Sequence, residues 1–482
     1  MEHKLTRNLL LSVIVCCFGS MYRMGFHMSA VNPTEVILVK SLKKMLKDHY
    51  NVENQSTIEW IWGLVAGCFF LAASFGALTS NLLKSHFGRR TGLLISQFIF
   101  ILGSIAQALA YFSLFELFFI GQLTVGYALG LSASFLTLFI EEIAHPSYSF
   151  VLYTCVAIGI EMGAISANVL GINVVLGDEK TWPAVFLFPA IFNILCSVIL
   201  LFWIHETPIQ LLKNSNRSKA LESVSFYYQL EDSEAEQRLS DIKKQYTTQS
   251  ESQEQKSMWR ALIDRTNRKA LLLSFLTSTT TNFSGILGIA LFGTNLFSTI
   301  GLNSTTAGFV NAGIFSFSCI GLLISLSFAK NISHRRLLLI GIPVMCMVNV
   351  GFIFVLSLKI VSLLVIDLYL FLCQNVTLQA ALLGTLMIVF CLAFSNSVEK
   401  VMWYNGTAIT QPQYIDATSS LTVAITYFTA FLAPFFFSPL KGAVGQWSFM
   451  LFIIELIAAW IVFFIWYPNH QTNSITETLL NA

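Results

Sequence analysis

Apolar runs long enough to cross a lipid bilayer recur along nearly the whole of this 482-residue chain. A helix that crosses the hydrocarbon core of a bilayer needs about 20 predominantly apolar residues. Only 11% of the residues are charged, against about 25% in an ordinary soluble domain. The sequence therefore predicts an all-α membrane protein that crosses the bilayer many times, and the lipid bilayer is its first expected partner.

We predict twelve membrane spans. The first run resembles a signal peptide, but it is too long for one, and we interpret it as the first span. The apolar segment 359–379 is ambiguous because it contains Lys359, Asp367 and Gln374, and we interpret it as a long, partly buried loop. The predicted spans are 9–31, 58–82, 91–112, 114–140, 150–172, 184–205, 271–298, 306–329, 337–358, 380–403, 415–438 and 447–467.

The composition and the motifs exclude several classes of function. The net charge of +2 is too small to indicate nucleic-acid binding. Eight of the nine cysteines lie in apolar segments and only Cys373 falls in the ambiguous loop, so no disulfide framework is expected. The sequence has no zinc-type His/Cys cluster, nucleophile elbow or phosphate-binding loop. We therefore expect no enzyme activity, no bound metal and no cofactor.

The distribution of Lys and Arg predicts that both termini lie in the cytoplasm. An even number of spans places both termini on one side, and cytoplasmic loops carry an excess of Lys and Arg. Cytoplasmic termini put nineteen Lys/Arg inside and seven outside. Asn54, Asn303 and Asn375 begin N-x-S/T sequons on the predicted outer side and are candidate glycosylation sites. Chance is a fair alternative, because four other sequons fall where no glycan can be attached.

The chain divides into two similar halves around a polar insert. The basic turn "SHFGRR" (85–90) lies between spans two and three, and "NISHRR" (331–336) lies between spans eight and nine. Basic turns at matching points indicate an internal repeat, which is typical of secondary transporters. The alternative is that the Arg pairs only anchor short turns. The predicted parts are an N-terminal six-helix bundle, a cytoplasmic insert with short amphipathic helices, a C-terminal six-helix bundle and a cytoplasmic tail: 1–205, 206–270, 271–468 and 469–482.

Six short motifs spread over the chain belong together. They are "FGRR" (87–90), "GQLTVGYALGL" (121–131), Glu142-Ile143-Ala144, "WP" (182–183), "HETPIQLL" (205–212) and "TNFSGILG" (281–288). As a set, they resemble the sugar porter family of the major facilitator superfamily, and within it the facilitative glucose transporters. The resemblance implies twelve helices in two bundles, a substrate site near the middle of the membrane, and transport by alternating access.

The sequence departs from this family at several cytoplasmic charges. Arginines of the family pattern fall at Gln122, Ser149, Gln210 and near Gln413, and a proline-rich segment has become "SVEKVMW" (397–403). The resemblance implies a cytoplasmic belt of ion pairs that holds the outward-open state. Its remaining members are Glu142, Glu206, Arg89, Arg90, Arg335 and Arg336. We expect weaker closure of the inner gate, because each lost pair removes a state-specific contact.

The resemblance also implies a sugar site. The family's paired glutamines fall at Thr281 and Asn282, its fifth-span glutamine at Ala157, its eighth-span asparagine at Ser316 and its tenth-span tryptophan at Trp403. Side-chain amides suit sugar hydroxyls because they both donate and accept. Each missing amide would leave a hydroxyl unpaired at about 1–3 kcal/mol. We therefore expect a solute with fewer hydroxyls than glucose, or a different pose.

Other polar residues of spans seven, eight and eleven have simpler interpretations. Leu287 replaces a further family asparagine, and no replacement for the span-eleven asparagine is evident around 424–428. Thr279 and Thr280 are expected to bond back to their own helix carbonyls. A cavity role is favoured for Asn282, because a buried amide in lipid needs a partner. Ser316 is either a site residue or a small interface residue.

Ionisable residues inside the predicted spans also require partners. The resemblance places His27 where proton-coupled members carry an acid, so proton coupling is chemically feasible, although a hydrogen bond to an outer-loop carbonyl is favoured. Glu161 is a second candidate substrate-facing residue of span five. We hypothesise that it pairs with Arg23 across the outer cavity. Glu399 and Lys400 either neutralise each other or reach the inner vestibule.

The leading prediction is a transporter that moves a small polar solute, with a hexose as the first expectation, by facilitated diffusion. One alternative is a proton-coupled symporter of sugars or organic solutes, and another is a transport-deficient sensor of the same fold. We expect a monomer in the plasma membrane.

Overall fold

The computed structural model describes residues 5–84, 86–112, 115–144, 146–251, 258–326, 333–357, 376–408, 410 and 414–467. In these ranges twelve helices are long and apolar enough to cross a membrane, which confirms the predicted fold class and number of spans. Most of the ambiguous segment 359–379, with Cys373 and Asn375, lies outside the described residues, as does the tail 469–482. Spans 1 to 12 are Arg7–Tyr50, Gln55–Lys84, Arg89–Phe112, Phe115–Ile143, Val151–Leu170, Trp182–Phe202, Asn267–Ile300, Ser304–Ile324, His334–Ser357, Val376–Trp403, Ile415–Phe437 and Gly445–Trp466.

Spans 1, 7 and 10 are broken within the membrane. Span 7 ends its first helix at Asn282 and begins its second at Ile286, with Gly285 between them at a φ of 111°. The Asn349 amide of span 9 donates to Ser284 O at 3.0 Å, so a carbonyl freed by the break keeps a partner. Such breaks are tolerated where neighbouring helices satisfy the backbone, and they are a common feature of transporter sites.

Small residues let the helices of one bundle approach closely. A Cβ added at Gly76 would lie 2.2 Å from Tyr127 O, and one added at Gly126 would lie 2.0 Å from Phe69 O. Spans 2 and 4 therefore pack with their backbones in contact. Lipid supplies no hydrophobic drive for helix association, so this close packing is a main source of cohesion inside each bundle.

The insert forms short helices on one face of the membrane bundle. Val224, Leu239 and Ile242 from the two predicted amphipathic helices are buried in one small apolar cluster. Tyr228 Oη donates to Ile143 O at 3.0 Å, which attaches the insert to the end of span 4. We call this side of the molecule the insert face and the opposite side the far face. The insert helices are Pro208–Lys213, Arg217–Tyr228, Asp232–Glu251 and Met258–Ile263.

Candidate transport site

Buried asparagine side chains join the two bundles near the far face. One bond joins two side-chain amides, and the other joins an amide to a backbone carbonyl. Asn311 Nδ2 of span 8 donates to Asn168 Oδ1 of span 5 at 2.8 Å. Asn32 Nδ2 of span 1 donates to Ala290 O of span 7 at 3.2 Å. All three asparagines are buried. These contacts hold spans 1 and 5 of the first bundle against spans 7 and 8 of the second.

A group of charged and polar residues joins the bundles near the insert face. We call this group the insert-face gate, and its members are Lys84, Arg89, Glu142, Asp416 and Ser420. The Arg89 guanidinium lies 2.7 Å from Glu142 Oε1 in its own bundle and 3.6 Å from Asp416 Oδ2 in the other. Lys84 Nζ donates to Ser420 Oγ at 2.8 Å. The bundles are thus in polar contact towards both faces.

Sequence reasoning missed three members of this gate: Lys84, Asp416 and Ser420. Asp416 is the second residue of predicted span 415–438, and a charge at the end of a span does not stand out as an intramembrane charge. Lys84 follows predicted span 58–82 by two residues and was counted only among the cytoplasmic charges. Gln210, which stands at a lost family arginine, accepts from Arg89 Nη1 at 3.1 Å. The position of a lost charge has therefore kept a hydrogen-bonding role beside the gate.

The predicted belt of six charges is not assembled as one network. Arg90 Nε donates to Leu200 O at 2.9 Å, at the end of span 6. Arg335 Nη2 donates to Phe464 O, at the end of span 12. Both are the second residue of their helices, spans 3 and 9, so the repeat is visible in the contacts. Arg335 caps a helix and does not join Arg89 at the gate.

The first residues of spans 3 and 9 explain why only the first half contributes an arginine to the gate. Arg89 is the first residue of span 3, and the first residue of span 9 is His334. The second half therefore has no arginine at the equivalent place, and it contributes Asp416 instead. Arg336 is exposed and lies one residue further along span 9.

Glu206 is held beside this region by backbone donors. Its Oε1 accepts from Arg90 N at 3.0 Å and from Thr207 N at 3.1 Å. Burial nevertheless raises the pKa of the Glu206 carboxyl, and the nearby Glu142 charge acts in the same direction. Its ionised form is therefore less stable in the folded chain than in water.

The four consecutive polar residues 279–282 of span 7 face different partners. Thr279 Oγ1 donates to Phe275 O and Leu276 O in its own helix, as predicted. Thr281 Oγ1 likewise donates to Thr277 O at 2.7 Å. Thr280 also bonds back, and in addition donates to Glu455 Oε1 of span 12 at 3.0 Å. Glu455 is a further intramembrane carboxyl that sequence reasoning missed.

Asn282 binds another helix of its own bundle. Its Nδ2 donates to Thr426 O at 2.7 Å and to Thr429 Oγ1 at 2.8 Å, both in span 11. Thr422, Thr426 and Thr429 form a polar stripe on one face of span 11 because their spacing is helical. No replacement for the span-eleven asparagine was evident around 424–428, yet Thr426 lies in that stretch and belongs to this polar stripe.

A small cavity lies between the bundles next to this stripe. It is lined by Thr137 of span 4, Met402 and Trp403 of span 10, and Ser419, Thr422, Val423 and Thr426 of span 11. Its free space is about that of one water molecule. Within the described part of the chain, Trp403 Nε1 and Thr422 Oγ1 are buried without a hydrogen-bond partner. The cavity therefore presents a free indole N–H and a hydroxyl to any solute that widens it.

Spans 5, 8 and 10 meet at Glu161. Its Oε1 accepts from Ser318 Oγ at 2.8 Å and from Ser395 Oγ at 2.9 Å. These are bonds between the bundles, because Glu161 belongs to the first and both serines to the second. The predicted Ser316 instead donates to Ala312 O of its own helix at 2.9 Å. Ala157, one turn before Glu161, is fully buried.

Arg23 and Glu161 are not brought together. The Arg23 guanidinium donates to Ser96 Oγ at 3.0 Å and to Asn193 Oδ1 at 3.3 Å. Its carbon lies 4.7 Å from the centre of the Phe100 ring. All of these partners belong to the first bundle, so the hypothesised pair across the outer cavity was wrong. Arg23 lies on the face of span 1 that packs inward against spans 3 and 6.

His27 continues this network inside the first bundle. Its Nδ1 lies 3.2 Å from Arg23 O, and its Nε2 lies 3.1 Å from Gln107 Oε1. Gln107 Nε2 in turn donates to Gln122 Oε1 at 3.0 Å. The favoured alternative, an outer-loop carbonyl as partner, was therefore wrong, because the partners are membrane helices. Gln122 stands at another lost family arginine.

The remaining predicted residues lie at the ends of spans or in span 10. Lys400 Nζ in the second helix of span 10 donates at 3.2 Å to Asn396 Oδ1, at the end of the first helix. Glu399 is 4% exposed. Asn54 and Asn303 are exposed beside spans 2 and 8, at the far face. Each caps a turn: Asn54 Oδ1 accepts from Ser56 N at 2.9 Å, and Asn303 Oδ1 accepts from Thr306 N at 2.7 Å.

Two six-span bundles with broken helices, polar contacts towards both faces and a small central cavity define a secondary transporter of the alternating-access type. The solved structures of major facilitator proteins have the same fold. The proton:xylose symporter XylE superposes with a TM-score of 0.78 at 15% identity, covering 98% of this chain and 99% of that chain. The Escherichia coli fucose:proton symporter FucP gives 0.58 at 12% identity over 97% of this chain and 100% of that chain.

Residues 12–478 match the family described as "Sugar (and other) transporter", and the chain belongs to this family. Facilitated glucose transporter member 3 of solute carrier family 2 from Rattus norvegicus is 23% identical over 470 residues, covering 97% of this chain and 90% of that protein. The Homo sapiens member 3 is 24% identical over 368 residues, covering 76% and 72%. The resemblance read from the motifs is thereby confirmed, and the chain is a multi-pass membrane transporter, not an enzyme.

Proposed function

We propose that this chain carries a small polar solute of about hexose size across the membrane by alternating access, without a cofactor. The observation that carries the proposal is the arrangement of inter-bundle contacts. Polar contacts join the bundles near the far face at Asn168–Asn311 and near the insert face at Arg89–Asp416, with a cavity between them. Breaking one set while keeping the other would expose the cavity to one side at a time.

The proposed site combines span 7, span 10 and span 11. Asn282 holds the broken part of span 7 against the threonine stripe, and Trp403 offers an apolar ring beside it. Thr281 is expected to follow the movement of span 7, while Ala157 and Ser316 provide small surfaces at the interface. Rocking of the bundles would widen the cavity from its present size, which is well below the roughly 300–1,000 Å³ of ordinary ligand pockets.

The proposed setting is the plasma membrane, with both termini and the insert in the cytoplasm. The excess of Lys and Arg on the insert face supports this orientation. Asn54 and Asn303 would then be extracellular, where glycans are added, and Asn375 would lie in the same outer region. We propose a monomer as the transporting unit and no role in nucleic-acid binding.

Two other functions remain as alternatives. Proton coupling at His27 has weaker support, because the ring lies inside the first bundle and away from the cavity. A sensor that binds a solute without moving it is supported by the missing family charges at the insert face. Both alternatives make different predictions for flux.

Counterflow of radiolabelled D-glucose and L-glucose into proteoliposomes, with and without a pH gradient, tests the proposal. We expect saturable, stereoselective counterflow that does not need the gradient. Asn282→Leu removes the bonds to span 11 and should abolish it, whereas Thr279→Val should have no effect because Thr279 bonds only to its own helix. Saturable binding without flux would support the sensor, and flux that requires the gradient would support a symporter.

A further inference from the structure

Two buried carboxylates meet at the interface between the bundles. Glu161 of span 5 and Glu399 of span 10 are each 4% exposed. Ser395, which donates to Glu161 Oε1 at 2.9 Å, lies four residues before Glu399 in span 10. Charged side chains inside a membrane are costly, and they usually pair with an opposite charge or line a functional pathway. Hydrogen bonding to a neutral sugar does not account for two of them.

Each carboxylate keeps one oxygen free among the residues that the structure describes. Oε2 of Glu161 and Oε2 of Glu399 are buried and have no hydrogen-bond partner there. None of the ion pairs in those ranges includes either residue. Lys400 is the neighbouring cation, and it donates to Asn396 Oδ1. With all three groups ionised, one negative charge remains uncompensated.

Glu399 shares a helix face with the central cavity. Trp403 follows it by four residues, so the two side chains lie one above the other on the second helix of span 10. Trp403 lines the cavity. Glu161 joins the same region from the opposite bundle, through its bonds to Ser318 and Ser395. Glu399 therefore lies one helical turn from a residue that lines the cavity, and Glu161 lies at the interface between the bundles.

Carboxylates beside an indole ring are the groups that recognise an ammonium ion. The carboxylates supply charge-assisted hydrogen bonds, and the ring face attracts a cation through its quadrupole. A primary ammonium has three donors, which match the two free oxygens with one left for a cavity hydroxyl. A neutral hydroxyl in the same place would leave the negative charge uncompensated.

We propose that the transported solute carries an ammonium group, which binds between Glu161 and Glu399 with the Trp403 ring alongside. This inference rests on the proposed transport function and narrows its substrate to a cationic solute of about hexose size, of which an amino sugar is the simplest example. The ammonium replaces the missing amides as the main polar anchor, which accounts for a site with few sugar-binding side chains.

The test uses the full-length chain in proteoliposomes at neutral pH, equal on both sides. The probes are D-glucosamine, which is cationic under these conditions, and D-glucose, which has a hydroxyl in place of the ammonium. We expect glucosamine counterflow to exceed glucose counterflow by about ten-fold, as a charge-assisted bond implies. Glu161→Gln should lower the glucosamine rate by about ten-fold and thereby remove the preference for glucosamine over glucose. The matched control Glu455→Gln changes another intramembrane carboxyl, which faces Thr280, and should preserve the preference.

Each other outcome is informative. Equal rates for the two probes, or a glucosamine preference that persists in Glu161→Gln, overturn the proposal. Glucose transport that needs a pH gradient and is lost in Glu161→Gln assigns the carboxylates to a proton, which overturns the ammonium site and keeps the transport function. If neither probe moves, glucosamine should still raise the thermal midpoint of the wild-type chain but not of Glu161→Gln. That result contradicts transport and supports the site, whereas no shift overturns both.

Discussion

The chain buries ionisable side chains in two regions of the membrane core, and their partners differ in kind. In the first bundle, Arg23 and His27 bond to Ser96, Asn193 and Gln107, all within the same bundle. At the interface, Glu161 bonds to Ser318 and Ser395 of the other bundle. Contacts within one bundle persist when two rigid bundles rock, whereas contacts between the bundles must break. The network around Arg23 and His27 therefore stabilises the first bundle, and the contacts of Glu161 take part in transport.

The largest effect on transport should come from the interface. Glu161→Gln keeps the size of the side chain and an oxygen that accepts from Ser318 and Ser395, but it removes the charge of the proposed site. We expect transport of the preferred solute to fall by about ten-fold, while the thermal midpoint stays unchanged. Counterflow per folded molecule and thermal unfolding, measured on the same preparation, check this. A lower midpoint with an unchanged rate would assign Glu161 to the structural group instead.

The largest effect on the free energy of unfolding should come from the bundle interior. Asn193→Leu removes an acceptor from Arg23 and the donor to Gln97 O. We expect a loss of about 3 kcal/mol in the free energy of unfolding, because buried polar groups lose their partners. Transport per folded molecule should not change. Asn193→Asp keeps an acceptor beside Arg23 but loses the donor to Gln97 O, so it should cost less stability than Asn193→Leu. An equal loss in both variants would contradict this explanation.

The insert-face gate should show a smaller effect. Asp416 lies 3.6 Å from Arg89, further away than Glu142, and its side chain is 20% exposed. Asp416→Asn should weaken closure by about 1 kcal/mol, which is about a five-fold shift towards the form open at this face. Labelling of Thr422→Cys in the cavity by a thiol reagent added at the insert face should accelerate accordingly. Asp416→Glu keeps the charge and should label at the original rate.

The smallest effect separates two neighbouring threonines. Thr280→Val loses the bond to Glu455 in span 12, so we expect a loss of about 1 kcal/mol in the free energy of unfolding. Thr279→Val loses only bonds to its own helix and should cost less than about 0.5 kcal/mol. Valine keeps the β-branch of threonine, so helix propensity hardly changes in either substitution. Equal losses in thermal unfolding would show that the cross-helix bond has no net value.

The sequence was sufficient for the fold because its signal is repeated along the chain. Apolar runs predict the spans one by one, and the motif set predicts the family. The assignment of side chains to the site was harder, since helical register decides which of two nearby residues faces a neighbour. Ser316 bonds to its own helix, while Ser318, two residues later, bonds to Glu161. An error of two residues turns a helix face by more than half a turn.

The second limit on prediction from the sequence was the choice of partner for each buried side chain. Arg23 and Glu161 lie at similar depth, and the sequence does not tell whether a side chain points into its own bundle or towards the other. Arg335 was expected at the gate because of its motif, but the first position of span 9 is His334, so the register of the repeat is shifted by one residue. Asp416 was missed because it lies at the start of a predicted span, where a charge needs no special explanation.

Thiol labelling tests the difference between the two regions most directly. Glu161→Cys lies between the bundles, and Gln107→Cys lies inside the first bundle, both within the membrane. In proteoliposomes, with wild-type labelling subtracted, we expect a small membrane-impermeant thiol reagent to modify Glu161→Cys and to leave Gln107→Cys unmodified during turnover. Addition of solute should change the rate for Glu161→Cys alone. Equal modification of the two cysteines, or protection of both, would contradict the assignment of one region to transport and the other to stability.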